Sequence, residues 1–171
     1  MDELKNMRIE IEFRRDRITI KRSKNERAPG QFEVIPVEFE RGRLLVADAY
    51  MGGVPVKAII DTGGQVTLGN MALRTALEER RKKDMLEGKL DEVIGATLDT
   101  QVGTRLETPT LRLGDVMIRN PAMTFADFEI FKYWRMTDEP AVLVGMNVIG
   151  LLDTMIIDYK RREVQVKLAR N

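Results

Sequence analysis

A mainly β fold is predicted for this chain: many short strands with one or two short helices, folded into a small closed β-barrel or a sandwich. Three observations predict it. Apolar and polar residues alternate in one short run after another. Gly, Pro, Asn and Asp separate the runs. A single stretch opening at Asn70 carries apolar residues at helical spacing. The chain has 171 residues, 43% hydrophobic and 32% charged, which suits one domain with a buried core.

Taken in order, Ile9, Ile11 and Phe13 alternate with Arg8, Glu10, Glu12 and Arg14. Asp16 interrupts, and Ile18 and Ile20 resume, which predicts a hairpin with one buried face. Ser23 to Gly30 is a polar loop. Phe32 to Glu40 alternates again, with Pro36 marking an edge or a bend. Leu44 to Met51 and Val54 to Ile60 are apolar strands joined by Gly52-Gly53, a hairpin turn. Asn70 is a natural N-cap for a helix whose apolar side is Met71, Leu73, Ala76 and Leu77 and whose far end, Glu78 to Asp84, is charged and solvated.

Strand signals return at Val93-Ile94, Leu106 to Leu113 and Val116 to Phe125, with Gly114-Asp115 as a turn between the last two. Phe128 to Trp134 is an aromatic cluster suited to a short helix or turn on the core. Ala141 to Val144 is wholly apolar, Met146 to Leu152 suits a helical turn, and Met155–Tyr159 with Glu163–Leu168 form a final hairpin around Lys160-Arg161-Arg162.

Composition excludes several chemistries. The chain has no Cys and no His. A cysteine nucleophile, a disulfide, a Cys/His zinc site and a Ser-His-Asp triad are therefore impossible. Acid–base work falls to carboxylates, Lys, Tyr or bound water. The 28 basic and 27 acidic residues leave a net charge of +1, so nothing global points to nucleic acid or a membrane surface. No apolar run reaches the roughly 18 residues of a membrane span. No secretory signal follows Met1 in the sequence as given. The expected compartment is the periplasm or cell envelope if an upstream signal was removed, and the cytoplasm otherwise.

The sharpest chemical feature is Ala58-Ile59-Ile60-Asp61-Thr62-Gly63-Gly64. A carboxylate just beyond an apolar strand is costly to bury unless it is well paired. The glycines after it let backbone N–H groups approach, and the Thr62 hydroxyl can lock the loop. A bare Asp-Thr-Gly also suits an ordinary strand-ending turn, so the flanking residues decide.

The stretch Ile59 to Arg74, IIDTGGQVTLGNMALR, resembles the active-site segment of retropepsin-like aspartic proteases. There two hydrophobic residues precede Asp-Thr-Gly-(Ala/Ser) and an apolar strand follows. Val142 to Ile149 resembles the family's hydrophobic–hydrophobic–Gly motif, which packs beside the active-site loop. Ile156 to Tyr159 and Val164 to Val166 resemble the C-terminal strands of bacterial members, and Phe125 to Trp134 resembles a segment of the same branch. The resemblance runs from Leu44 to Leu168. Two positions depart from it: Gly64 stands where Ala or Ser is usual, which loosens the loop slightly, and Asn147 stands where bacterial members often have Asp.

The resemblance implies a closed β-barrel of the retropepsin type, dimeric, without cofactor or metal. It implies Asp61 as the catalytic carboxylate, Thr62 and Gly63 as loop support, Gly64 and Gln65 as substrate-binding residues, and Leu143, Val144 and Gly145 as the loop-packing motif. The expected arrangement is an N-terminal extension of one or more β-hairpins over residues 1–43 and the protease domain over 44–171. A flap over the substrate is expected around Gly95 to Gly103, a segment that also suits an ordinary surface loop.

Aspartic protease chemistry needs two carboxylates on one water. This chain has one Asp-Thr-Gly. Asp99-Thr100-Gln101 and Asp153-Thr154-Met155 lack the Gly and suit ordinary turn acids. One copy per chain implies a two-fold homodimer acting on an extended peptide. Two other readings compete. One is a catalytically silent relative kept as a dimerisation or peptide-binding module. The other is a nucleic-acid-binding β-domain, suggested by nine basic against six acidic residues in the first 30. The aromatics there are not interleaved with the basic residues as stacking would require, so a solvated hairpin face is the better account. Gly63-Gly64 before a helix faintly suggests a phosphate loop, but no Gly-Lys-Ser/Thr follows.

Overall fold

The computed structural model describes residues 2–40, 44–81, 89–94 and 100–169. Its first hairpin is β1 (Met7–Glu12) and β2 (Arg17–Arg22), with Ile9 opposite Ile20 and Ile11 opposite Ile18. Asp16 closes the turn at φ 47°. The predicted buried face is only half covered. Ile9 and Ile11 pack on the core, whereas Ile18 and Ile20 are 65% and 58% exposed, because β2 is the outermost strand of its sheet. Much of the local basic charge is internally paired. Arg15, Arg17 and Lys21 meet Glu12 and Glu10 along the same hairpin, and Arg8 meets Asp158. The hydrogen bond from Arg17 holds the Glu12 carboxyl below the usual carboxylate range.

β3 (Glu33–Pro36) and β4 (Glu38–Glu40) are one run broken by Pro36 and the buried Val37. Pro36 cannot donate to a ladder, and here the chain changes sheets. β3 becomes the edge of a five-stranded sheet ordered β2-β1-β14-β15-β3, where β14 is Leu152–Asp158 and β15 is Glu163–Leu168. β4 pairs instead with β5 (Leu44–Met51). β5 and β6 (Val54–Ile60) form the expected hairpin, with Gly52 and Gly53 at φ 56° and 84°, the type I′ geometry that favours glycine at both positions.

The second sheet contains β7 (Thr67–Gly69), β8 (Lys89–Ile94), β9 (Thr100–Glu107), β10 (Leu111–Leu113), β11 (Val116–Ile118), β12 (Ala122–Phe125) and β13 (Ala141–Val144) as well. Its order is β11-β10-β5-β6-β13-β7-β12-β9-β8, with β4 alongside β5. The long runs predicted over 106–113 and 116–125 are each two strands, interrupted at Pro109 and Pro121. The Thr108 amide and hydroxyl both donate to the Pro121 carbonyl, at 3.1 and 2.9 Å.

The predicted barrel does not close. The outer strands β11 and β8 are not paired with each other, and two open sheets stack through the main core, which includes Val56, Ala58, Val142, Val144, Met155 and Val164. A second core lies on the other face of the central strands, where Ile59, Leu68 and Leu143 meet Phe128, Phe131 and Met136. Phe128 and Phe131 belong to the predicted aromatic segment, whose helix is α2 (Glu129–Tyr133). With cores on both faces, β13 has no polar side to show, which is why it reads as a continuous apolar run.

The helix α1 (Met71–Arg81) starts where Asn70 caps it. The Asn70 Oδ1 accepts the Leu73 amide at 2.9 Å and the Ala141 amide at 3.1 Å, while Nδ2 donates to the Met136 and Glu139 carbonyls at 2.7 Å each. Leu73 and Leu77 are buried as predicted, but Met71, the first residue of the helix, is 41% exposed. The charged stretch beyond Arg81 lies outside the described residues. Replacing Asn70 by Ala removes a cap and strands buried backbone groups, so a loss of about 2–3 kcal/mol is expected. Thermal denaturation should show it as a midpoint lower by several degrees; an unchanged midpoint would refute the assignment.

Candidate active site

The site is created by the path of the chain around β13. This strand lies between β6 and β7, parallel to the first (Val144 opposite Ile60) and antiparallel to the second (Leu143 opposite Leu68). The chain therefore leaves β6 at Ile60, crosses the C-terminal end of β13 and returns on its other side. Residues 61–66 are that crossing, and Asp61 is its first residue.

Backbone meets backbone there. The Asp61 amide donates to the Val144 carbonyl at 3.1 Å, and the Met146 and Asn147 amides donate to the Gly64 and Gln65 carbonyls at 2.7 and 3.0 Å. Such an approach leaves no room for a side chain at 145. A Cβ on Gly145 would lie 2.4 Å from the Val66 oxygen and 3.0 Å from the Gly64 oxygen. Leu143 and Val144 anchor the strand in opposite directions, Leu143 into the second core and Val144 into the main one. Gly145 then caps α3 (Met146–Ile149).

Asp61 is half-buried. Its Oδ1 accepts the Gly63 amide at 2.9 Å. On the other side, a Cβ at Gly64 would come within 2.8 Å of Oδ2. The glycine at this position thus gives the carboxylate space that an alanine would contest. Thr62, Gly63 and Gln65 are exposed, and the Thr62 hydroxyl bonds to no described residue.

Two polar residues that the sequence did not single out as site residues complete the setting. Thr67 is fully buried. Its hydroxyl accepts the Gly145 amide at 3.1 Å and donates to the Asn147 Oδ1 at 2.7 Å, and Asn147 Nδ2 donates to the Ala122 carbonyl at 3.0 Å. The available signal was a lone hydroxyl between Val66 and Leu68 in an otherwise apolar run.

The expected flap divides. Residues 95–99 lie outside the described residues. β8 and β9 pair from Lys89 opposite Arg105 to Ile94 opposite Thr100, so they are the two arms of a hairpin. Gly103 is no part of a loose tip. It sits within β9 opposite Asp91, where a Cβ would meet Thr124 Cγ2 at 2.6 Å and the Phe125 oxygen at 2.9 Å. Close packing, not mobility, accounts for this glycine. Asp99 is likewise outside the described residues. Asp153 is not in a turn but in β14, at a register shift, bonded to Lys167 at 2.9 Å. Among the described residues no cluster of three or more acidic side chains could hold a metal.

This crossing loop on a two-sheet β fold is the construction of an aspartyl protease. A sequence model of that family matches residues 47–148, a span that includes both Asp61-Thr62-Gly63 and Gly145, and the chain belongs to the aspartyl protease family. The fold is retropepsin-like. It is similar to the crystal structure of a retropepsin-like aspartic protease from Rickettsia conorii, with TM-score 0.52 and 14% identity over 79% of this chain and 89% of that one. The retroviral protease-like domain of Ddi1 from Leishmania major aligns with TM-score 0.43 and 19% identity over 74% of this chain and 94% of that one. No curated protein matches the sequence.

Proposed function

We propose that this chain is an aspartic endopeptidase whose active site is completed by a second copy, each contributing Asp61. The observation that carries the reading is the setting of that carboxylate. It stands at the end of a buried strand, one oxygen is held by the Gly63 amide at 2.9 Å, and the loop's remaining face is turned outward. Membership of the aspartyl protease family supports proteolysis in general. Residues 44–171 form the protease domain in this reading, and 1–43 are an extension.

The chemistry follows from pairing two such groups. Two carboxylates on one water cannot both ionise easily, so they share a proton. The ionised member takes a proton from water as the oxygen attacks the peptide carbonyl carbon, and the protonated member gives its proton to the carbonyl oxygen. On collapse of the tetrahedral species, the carboxyl that took a proton from water passes it to the nitrogen, a hydroxyl proton returns to the other carboxylate, and the C–N bond breaks to release the amine. Thr62 and Gly63 brace the two loops against each other, while Gly64 and Gln65 line a groove for an extended peptide. One Asp-Thr-Gly per chain supports the need for a mate. An apolar surface beside the loop supports it as well. There a cavity of about 230 Å3, whose lining includes Ile60 and Val144, opens between Met117, Leu151 and Leu168. These three are 61%, 68% and 52% exposed.

Dilution tests the reading. Cleavage of a peptide library should peak between two apparent pKa values. The activity per chain should fall on dilution in step with the dimer fraction measured by sedimentation. Activity per chain that holds constant while the protein is monomeric would remove the shared site. No cleavage at any pH by a confirmed dimer would favour the silent peptide-binding module.

A further inference from the structure

We propose that Thr67 and Asn147 are positioning residues, forming a directed hydrogen-bond chain that sets where the Asp61 loop sits on the end of β13. The inference rests on the reading of Asp61 as the catalytic carboxylate. Its geometric part stands independently of that reading.

The direction of the chain is dictated by its first member. The Gly145 N–H can only donate, so the Thr67 hydroxyl that receives it at 3.1 Å is an acceptor there. Its single proton is then committed to the Asn147 Oδ1 at 2.7 Å. With Oδ1 accepting, the Asn147 amide nitrogen faces the Ala122 carbonyl at 3.0 Å as a donor. Each group has one role, and reversing any of them leaves two donors or two acceptors facing each other.

What the chain joins gives it a functional consequence. Thr67 is the first residue after the crossing loop, and Gly145 is the residue over which the loop passes. Asn147 also donates its own amide to Gln65 within the loop. The loop is thus held at its far end to the turn beneath it, through a hydroxyl with no access to solvent. Its near end is held by the Asp61 amide on Val144. If the far end slackens, the Gly63 amide and the carboxylate it holds can shift while both sheets stay folded. Two carboxylates that share one proton tolerate little displacement.

The two residues should not contribute equally. Removing the Thr67 hydroxyl leaves the buried Gly145 amide without an acceptor, whereas Asn147 is exposed and water can replace its side chain.

The test compares Thr67→Val, Thr67→Ser and Asn147→Ala by peptide-cleavage kinetics and by amide hydrogen exchange. For Thr67→Val, kcat should fall about tenfold or more while KM moves less than about threefold. Thr67→Ser should restore it, and Asn147→Ala should fall between. The Asp61, Gly63 and Met146 amides should lose protection in Thr67→Val while amides of β14 and β15 keep theirs. Equal loss of protection throughout the molecule would reduce Thr67 to a stability role and overturn the proposal. Unchanged loop protection in Thr67→Val would do the same. If Thr67→Val does not fold, Asn147→Ala decides alone, and loop protection equal to the parent's counts against the proposal. If the parent protein cleaves nothing, the catalytic reading falls, and exchange still decides whether these residues position the loop.

Discussion

Asp61→Asn should abolish peptide cleavage, lowering kcat by about a thousandfold or more, the scale of a lost general acid–base group. The substitution is nearly isosteric. Asn keeps an oxygen to receive the Gly63 amide, which bonds to Asp61 Oδ1 at 2.9 Å, so the loop should hold its shape and the thermal midpoint should stay within a few degrees. What is lost is the capacity of the pair to hold one shared proton. The variant also reports on sharing. In an equal mixture of parent and variant that exchanges freely, about a quarter of the dimers carry two carboxylates, so activity should fall to that fraction of the activity of the same total concentration of parent dimer. Cleavage surviving in purified Asp61→Asn would place the chemistry elsewhere. A mixture retaining about three quarters of the activity would mean that one Asp61 per dimer suffices, and one retaining about half would mean that each chain acts alone.

Gly145→Ala should be the most destabilising of the conservative changes around the site, by about 3 kcal/mol or more. The added methyl meets the Val66 carbonyl oxygen at 2.4 Å and its carbon at 2.6 Å. These are backbone atoms, which no rotamer change can move aside. Relief requires the loop to lift from β13, and that costs the bonds from Met146 to Gly64 and from Asn147 to Gln65. For a chain of this size the thermal midpoint should drop by roughly 6–12 °C, with cleavage lost even where the protein remains folded. Gly64→Ala is the control. Its nearest conflict, at 2.8 Å, is with the terminal Oδ2 of Asp61, which can turn away. Stability should therefore hardly change. A Gly145→Ala protein as stable as the parent would show that the crossing is looser than the close contacts require.

Much of the candidate site was legible because its parts are local. Asp61-Thr62-Gly63 follows its strand directly, Gly52-Gly53 makes a two-residue turn, and Asn70 stands immediately before the helix it caps. Each is a short-range arrangement in which neighbours in sequence are neighbours in space. Gly145 was legible as half of a motif, but its physical reason was not, since the atoms that forbid a side chain there belong to Val66 and Gly64. Thr67 and Asn147 were passed over as site residues because a hydroxyl in an apolar run and an amide after a glycine gain meaning only when joined across 80 residues. Gly103 misled for the opposite reason: a glycine near a turn suggests mobility, whereas its neighbours Thr124 and Phe125 use the missing side chain to pack.

The alternation of residues, by itself, determined that this protein is built of short strands with one capped helix. Its one Asp-Thr-Gly determined which carboxylate is the candidate for chemistry. Those are properties of a backbone's own periodicity and of turns spanning a few residues, where the energetics are local. Only the tertiary structure decided that the sheets remain open, that β2 leaves Ile18 and Ile20 uncovered, and that the Asp61 loop crosses β13 closely enough to demand glycine at 145. A strand's pattern records that one face is buried but not which edge pairs with which. That choice is made by the packing of segments far apart in the chain.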